Sequence, residues 1–453
     1  MSPHNRNPIP GRLYEAPAYA VPPASPVFWQ VGTQPDAHPM LEGEAETDVL
    51  IIGAGYAGLN CARRLAAAGR TVAVLEAAQP GWGASGRNGG FCCIGGDLLG
   101  LEAIARRWGE GDAVHYARTQ REAIAYVDEL LYEAGESEIR QGHGEVRLAH
   151  HRRVYAGFAE DAVNLDRWYG VKPELLTRAE LAERGAHVNG AYGGLYYPLG
   201  FGIQPWRYIT GLTRLAAQAG ANIFGNSPVL SLTHVKGRWR AVTPQGQLNA
   251  TTVVIATNGY SSDLIPTWLA GRYLPVLSHI IVTRPLSDAE LTVQGFTTDL
   301  MTYDSRRLLH YFRLLPDRRF MFGMRGGLSA GERSLSHAKV RIRRDFELMF
   351  PAWSHVPHEF DWSGLVCLNG HGMPFAGAVP GLQNAYTAFG WHGNGVALAS
   401  YSGNLLAGAI LGEKNHIPAV MQLVPRRFPF ACQRRLWLGA AYGASWLLDR
   451  FGR

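Results

Sequence analysis

The chain has 453 residues, 47% of them hydrophobic and 18% charged, which is ample for a large core shared between two domains. Its formal net charge of +6 is local: residues 425–453 carry six arginines against one acid, leaving a nearly neutral body. That distribution argues against a nucleic-acid-binding body.

Residues 1–45 are rich in proline and lack the apolar centre of a secretory signal, so they read as an extended arm. No apolar run approaches the ~18 residues of a membrane-spanning helix. The cysteines are Cys61, Cys92, Cys93, Cys367 and Cys432. An odd number with two adjacent is a poor disulfide framework and points to a reducing cytoplasm. No C-x-x-C pair occurs, so no metal centre is expected.

The strongest signal starts at Thr47. A buried strand is predicted at 49–52, then Gly53, Gly55 and Gly58 in G-x-G-x-x-G spacing, then a helix from Tyr56 to about Ala68. A second strand, 71–75, ends in Glu76. This is a βαβ dinucleotide unit. Gly53 allows the tight turn, Gly55 lets backbone approach a diphosphate, and Gly58 lets helix and strand pack closely. Tyr56 and Ala57 open the helix, whose free N–H groups favour phosphate. Glu76 suits a ribose diol and repels a 2′-phosphate. No second βαβ repeat follows. Instead the loop Gly83, Ala84, Ser85, Gly86, Arg87, Asn88, Gly89, Gly90 has little side-chain bulk and can wrap a cofactor closely, which narrows the dinucleotide to FAD.

Helical periodicity continues over 101–134. An alternating strand at 145–148 and a mixed helical stretch to Arg184 open a second, inserted domain. A helix from Trp206 to about Ala219 is followed by strands at 221–224 and 228–232, where the Val229 backbone can meet an adenine. The strand 251–256 ends in a small-residue turn holding Gly259, as expected at the ligand edge of a doubly wound sheet. Alternating strands between 278 and 324 predict an antiparallel sheet, with Tyr303, His310, Tyr311, Phe312 and Arg313 as candidates to line a pocket beneath it. Gly390, Trp391, His392, Gly393, Asn394, Gly395 and Val396 form a last glycine-rich loop opening a helix to about Leu411. Its N–H groups would face an electron-rich part of a flavin.

The βαβ unit, the GASGRNGG loop and the GWHGNGVALA loop together resemble the D-amino-acid-oxidase-like superfamily of FAD-dependent amine oxidoreductases. Tyr311-Phe312-Arg313 and Trp362-Ser363-Gly364 are most similar to its gamma-glutamylputrescine oxidoreductase branch. That branch reads Gly-Tyr-Ser-Gly-His-Gly where this chain has Gly390 to Gly395. The resemblance implies a Rossmann-like α/β FAD-binding domain (46–137, 193–260 and 363–412). It is interleaved with an α+β substrate domain built on an antiparallel sheet (138–192 and 261–362), and a basic aromatic tail follows at 413–453. It implies FAD, a small-molecule amine as substrate, and O2 or another electron acceptor. Family members attach flavin through Cys or His, but none of Cys92, Cys93 and Cys367 falls on a known attachment position, so non-covalent FAD is expected.

The expected reaction oxidises a C–N bond to an imine, which water hydrolyses to a carbonyl. The amine must be neutral to react. His392 is the leading acid–base or positioning candidate, with Trp391 and Tyr311 beside it, and Arg313 could pair with a substrate carboxylate. The alternatives are an NADPH-using FAD monooxygenase, which lacks its late Gly-Asp motif here, and a non-catalytic flavin-binding protein. The tail from Arg434 to Leu448 reads as an amphipathic helix that packs on its own FAD domain or touches an anionic membrane surface.

Overall fold

The computed structural model describes residues 9–451 except 22, 24, 34, 35 and 415. The first eight residues of the predicted arm and Arg453 of the basic tail lie outside the described residues.

A parallel sheet carries the opening βαβ unit. Gly43–Ile52 lies between Gly246–Ile255 and Val72–Leu75, in parallel register with both, and Asn222–Phe224 extends the sheet beyond Val72–Leu75. Ala385–Phe389 adds parallel to the far side of Gly246–Ile255. These strands are apolar on both faces: Val49, Ile51, Val72 and Val74 pack against helices, and Leu50, Ile52, Ala73 and Leu75 against Val229, Trp239, Ile265 and Leu269. Tyr56–Ala67 packs between Pro205–Gln218 and Gly395–Ile410. The last helix comes so close that a Cβ on Gly403 would run into the Ala57 carbonyl. The predicted strand at 228–232 falls instead at Ser231–Val235, which forms an antiparallel flap with Arg238–Val242. The predicted helix over 101–134 is split into Leu101–Trp108 and Glu110–Glu133 by Gly109, whose φ of 102° ends one helix and opens the next.

The second sheet has eight strands: His358–Asn369, Tyr273–Thr283, Phe320–Arg325, His310–Leu314, Met301–Asp304, Glu145–Leu148, Gly194–Tyr197 and Glu174–Leu176, in that order. Pairing is antiparallel except between Met301–Asp304 and Glu145–Leu148. Two segments differ from the sequence reading. Gly194–Tyr197 and most of His358–Asn369 join this sheet, although the reading placed 193–260 and 363–412 in the FAD-binding segments. Pairing partners distant in sequence, Glu145–Leu148 and Tyr273–Thr283, decide which sheet takes them.

Strand alternation separates two faces of this sheet. Phe312, Phe320 and Phe322 point to one side, where they meet Phe296, Phe346, Phe350 and Trp353 in a dry aromatic core under the helix Glu332–Met349. Tyr311, Met321, Gly323 and Arg325 belong to the other side, toward the parallel sheet. The tail helix Arg434–Arg450 docks on this second sheet, not on the parallel one: Leu438 is buried against Leu274 and Val276. Arg434 donates to the Tyr273 carbonyl at 2.9 Å and to Asp263 at 2.6 Å. Among the described residues no helix is long and apolar enough to cross a membrane.

Candidate active site

The βαβ turn sits at the C-terminal edge of the parallel sheet, where a doubly wound sheet opens a crevice. Gly53 holds a φ of 107°, and a Cβ there would lie 2.9 Å from the Ala256 carbonyl oxygen. A Cβ on Gly58 would collide with the Gly53 carbonyl, so the turn and helix Tyr56–Ala67 touch backbone to backbone. Glu76 is buried and aimed into the crevice. Its carboxylate accepts the N–H of Ala54 at 2.8 Å and of Ala78 at 3.2 Å, and burial pushes its carboxyl above the usual range. Two carboxylate oxygens have lone pairs beyond those two bonds. The crevice is lined also by Gly55, Tyr56, Ala57, Val229 and Trp391.

The 83–90 loop is fastened from three directions. Trp29 Nε1 donates to the Asn88 carbonyl at 2.8 Å, and Trp362 Nε1 donates to the Arg87 carbonyl at 2.8 Å. Asn88 Nδ2 donates to Ser85 O at 2.9 Å, while its Oδ1 accepts from Gly90 N at 2.8 Å. Ala84 and Asn88 line both the nucleotide crevice and a second cavity that continues from it under the second sheet. His392, Gly393 and Val396 form the opposite lip of both. A crevice closed by glycine backbone, a helix N-terminus and a buried acid, leading without a break into a chamber, fits the nucleotide and ring ends of FAD. The ring end would be held by the 83–90 loop and by residues 392–396.

The chamber takes its chemistry from four side chains of the second sheet. Tyr311 lies against Gly89 and Gly323, and its hydroxyl is 2.9 Å from Ser278 Oγ. Tyr303 lies 2.9 Å from the Tyr197 hydroxyl. Glu145 is 2% exposed, is hydrogen-bonded by Tyr197, and is pushed up to about 8 by burial. Arg325 also lines the chamber, and burial lowers its guanidinium below the ordinary arginine value. It pairs with no carboxylate among the described residues.

The Glu145 shift fixes a sign for pH dependence. The folded protein keeps this proton up to about pH 8, whereas an unfolded carboxyl releases it near the ordinary value of 4.5. Between those values folding takes up a proton, so stability falls as pH rises, by up to ~1.4 kcal/mol per pH unit. Thermal melts from pH 5 to 8 are expected to lose this downward slope in Glu145→Gln; an unchanged slope would show that Glu145 is ionised in the folded state.

Several residues singled out in the sequence lie elsewhere than expected. Arg313 is 2% exposed and lines neither cavity. Its guanidinium donates to the carbonyls of Gly89 and Ile203 and to Gln141 Oε1, locking the end of the 83–90 loop to the sheet. It has no donor left aimed at a substrate carboxylate. His310 and Phe312 face the aromatic core, and His310 is held by Asp304 at 2.7 Å and Asp345 at 3.3 Å. His392 reaches the lip of both cavities, but both ring nitrogens are engaged. Nδ1 donates to Gly96 O at 2.8 Å, and Nε2 accepts the Asn369 N–H at 3.3 Å. Burial pulls it down to about 4, so it is neutral at pH 7 and positions the loop at a φ of 47°. Trp391 is buried on the nucleotide side, with Nε1 3.4 Å from Ser402 Oγ. Gly58, Gly86, Gly90, Gly259 and Gly390 line neither cavity and instead permit close packing behind the walls: Gly86 against Gly81 and Trp206, Gly259 against Leu365, Gly390 against Asn369. Arg87 turns its Nε to the Trp82 carbonyl at 2.7 Å, and Asn394 Nδ2 donates to Ile94 O at 2.9 Å.

Sequence reasoning missed Glu145, Arg325 and Arg12. Arg325 was legible: it continues the Met321, Gly323 alternation by one more step of two. Glu145 gave only the signal of an acid opening an apolar strand, and Arg12 gave none.

Comparison with known proteins agrees with this geometry. A family model described as FAD dependent oxidoreductase matches residues 48–409. A Rhizobium meliloti protein named probable oxidoreductase OrdL is 30% identical over 443 residues, 95% of this chain and 99% of that protein. The gamma-glutamylputrescine oxidoreductase of Escherichia coli is 29% identical over 410 residues, 89% and 93% of the two chains. The crystal structure of glycine oxidase from Geobacillus kaustophilus superposes with a TM-score of 0.70 at 18% identity, covering 85% of this chain and 100% of that one. With a family match over most of its length and a crevice whose walls fit the cofactor, the chain belongs to the FAD dependent oxidoreductase family.

Proposed function

We propose that this chain oxidises the C–N bond of a small amine bearing an acidic group, giving an imine that water hydrolyses to a carbonyl. The observation that carries the reading is Arg325, a half-buried cation lining the chamber with no acidic partner among the described residues. A buried charge is costly until something pairs with it, and a substrate carboxylate meets that need with two parallel hydrogen bonds. Glu145 gives the same chamber a carboxyl that is protonated below about pH 8 and can hydrogen-bond a substrate there. The Escherichia coli relative is named for gamma-glutamylputrescine. That compound has an amine at one end and a carboxylate beside an ammonium at the other, and the Arg325 guanidinium suits the carboxylate of such a head group.

FAD, when bound, supplies the two-electron acceptor that no side chain provides. The chain's own residues do the rest. The second sheet and the 83–90 loop exclude water, which favours the neutral amine. Tyr311, fixed by Ser278, narrows the chamber beside Gly89 and orients what enters. His392 keeps the 392–396 turn in place rather than exchanging protons. The electrons pass on to O2 or another acceptor. All five cysteines are free, in keeping with a cytoplasmic enzyme.

The test is an anaerobic flavin spectrum of the purified protein, titrated with gamma-glutamylputrescine, sarcosine, proline and putrescine, then opened to air. Bleaching by an amine that carries a carboxylate, at far lower concentration than by putrescine, is the expected result. No bleaching by any amine would end the amine reading. Return of the yellow colour in air would make O2 the acceptor, and persistent bleaching would point to another carrier.

A further inference from the structure

The nucleotide crevice has one wall that comes from far away in sequence. The arm, over residues 9–21, crosses its mouth and places Ile9 and Arg12 among the lining residues. The arm is pinned at each step. The Ser262 hydroxyl donates to the Pro10 carbonyl, and Asp263 N donates to Gly11 O at 3.0 Å. Tyr14 and Tyr19 pack with Trp82 and Tyr260, and Trp82 Nε1 donates to Ala20 O at 3.1 Å. The opposite end of the chain holds the same segment. Arg435, on the tail helix, donates to Leu13 O at 2.6 Å and to Glu15 at 2.9 Å, and Glu15 also accepts the Ala330 N–H at 2.7 Å.

Arg12 lies 4.5 Å over the Tyr19 ring, within electrostatic reach of Glu76. Among the described residues that line the crevice it is the one arginine or lysine. A diphosphate brings two negative charges. The N-terminus of Tyr56–Ala67 offers only about half a positive charge in return, and Glu76 adds a negative one. An arginine on the opposite wall supplies the missing full charge in a planar fork that suits phosphate oxygens.

We propose that Arg12 is a ligand of the FAD diphosphate, and that the arm, clasped by the tail helix, is the wall that retains the cofactor. This rests on FAD binding alone and is independent of the substrate. The test uses the full-length holoenzyme. In Arg12→Gln, the phosphorus NMR resonances of the bound diphosphate are expected to move. FAD release on dilution, followed by flavin fluorescence, is expected to quicken about ten- to a hundredfold. Arg435→Gln, which loosens the clasp without touching the crevice, is expected to quicken release while leaving the phosphorus resonances in place. Unchanged resonances in Arg12→Gln would overturn the contact, and unchanged release in Arg435→Gln would overturn the clasp. If Arg12→Gln does not fold, Arg12→Lys keeps the charge but not the fork. It is expected to displace the same resonances with little change in release, and resonances that stay put would overturn the contact.

Discussion

Replacing Arg325 with methionine is expected to cut kcat/KM for a carboxylate-bearing amine about thirty- to a thousandfold, the equivalent of ~2 to 4 kcal/mol for a desolvated arginine–carboxylate pair. The loss should sit mainly in KM. An uncharged amine of the same length should lose less than about threefold, since it never used the guanidinium. Stability is expected to move the other way. Arg325 is a half-buried cation without a carboxylate partner among the described residues, so removing it relieves desolvation, and the thermal midpoint of the substrate-free enzyme should hold or rise. Steady-state kinetics on the paired substrates, with a melting curve of the same sample, decides the matter. Equal losses for both amines, or a falling midpoint, would make Arg325 a structural residue. The double readout matters because Arg313, two strand positions from Tyr311, is the structural counterexample. It is more deeply buried, at 2% exposed, and has three acceptors, so its loss should lower stability whatever the substrate.

Gly58→Ala is expected to leave a protein without flavin and to cost more than about 3 kcal/mol of stability, because the added carbon overlaps a backbone carbonyl that cannot rotate away. The atom it would strike is the Gly53 oxygen, with Ile51 Cγ2 3.3 Å away on the other side. Moving the helix to make room would also move the amide groups that face the diphosphate. Gly69→Ala is the control. Gly69 ends the same helix with a φ of 83° and nothing within 4 Å of an added Cβ, so its cost should stay near the ~1 kcal/mol of a left-handed alanine. Flavin absorbance per protein and chemical denaturation distinguish the two. Wild-type flavin content in Gly58→Ala would mean that the helix can shift and still present its N-terminus.

Much of the fold was legible because its signals are local. The G-x-G-x-x-G turn, the helix at Tyr56–Ala67 and the acid at Glu76 are close in sequence and touch in space. The antiparallel strands after Tyr273 were legible from alternation. The candidate site was legible only in part. Tyr311 and Arg313 share a strand face, yet one lines the chamber and the other locks a loop behind it. Alternation gives the face of a side chain but not its neighbours across the cleft. His392 illustrates the same limit: the sequence makes it the leading acid–base or positioning candidate, and two backbone partners, Gly96 and Asn369, engage both nitrogens.

The sequence by itself determined that the chain binds a dinucleotide in a βαβ crevice, because that motif is a statement about backbone geometry within about thirty residues. The tertiary structure alone decided which charges face the cofactor and the substrate. Glu145 and Arg325 come from strands brought into one sheet across 180 residues of chain. Arg12 reaches the crevice because Ser262, Asp263, Trp82 and the tail helix, all distant in sequence, hold the arm there. A buried charge takes its meaning from what it lacks nearby, and that is settled when distant strands and termini pack together.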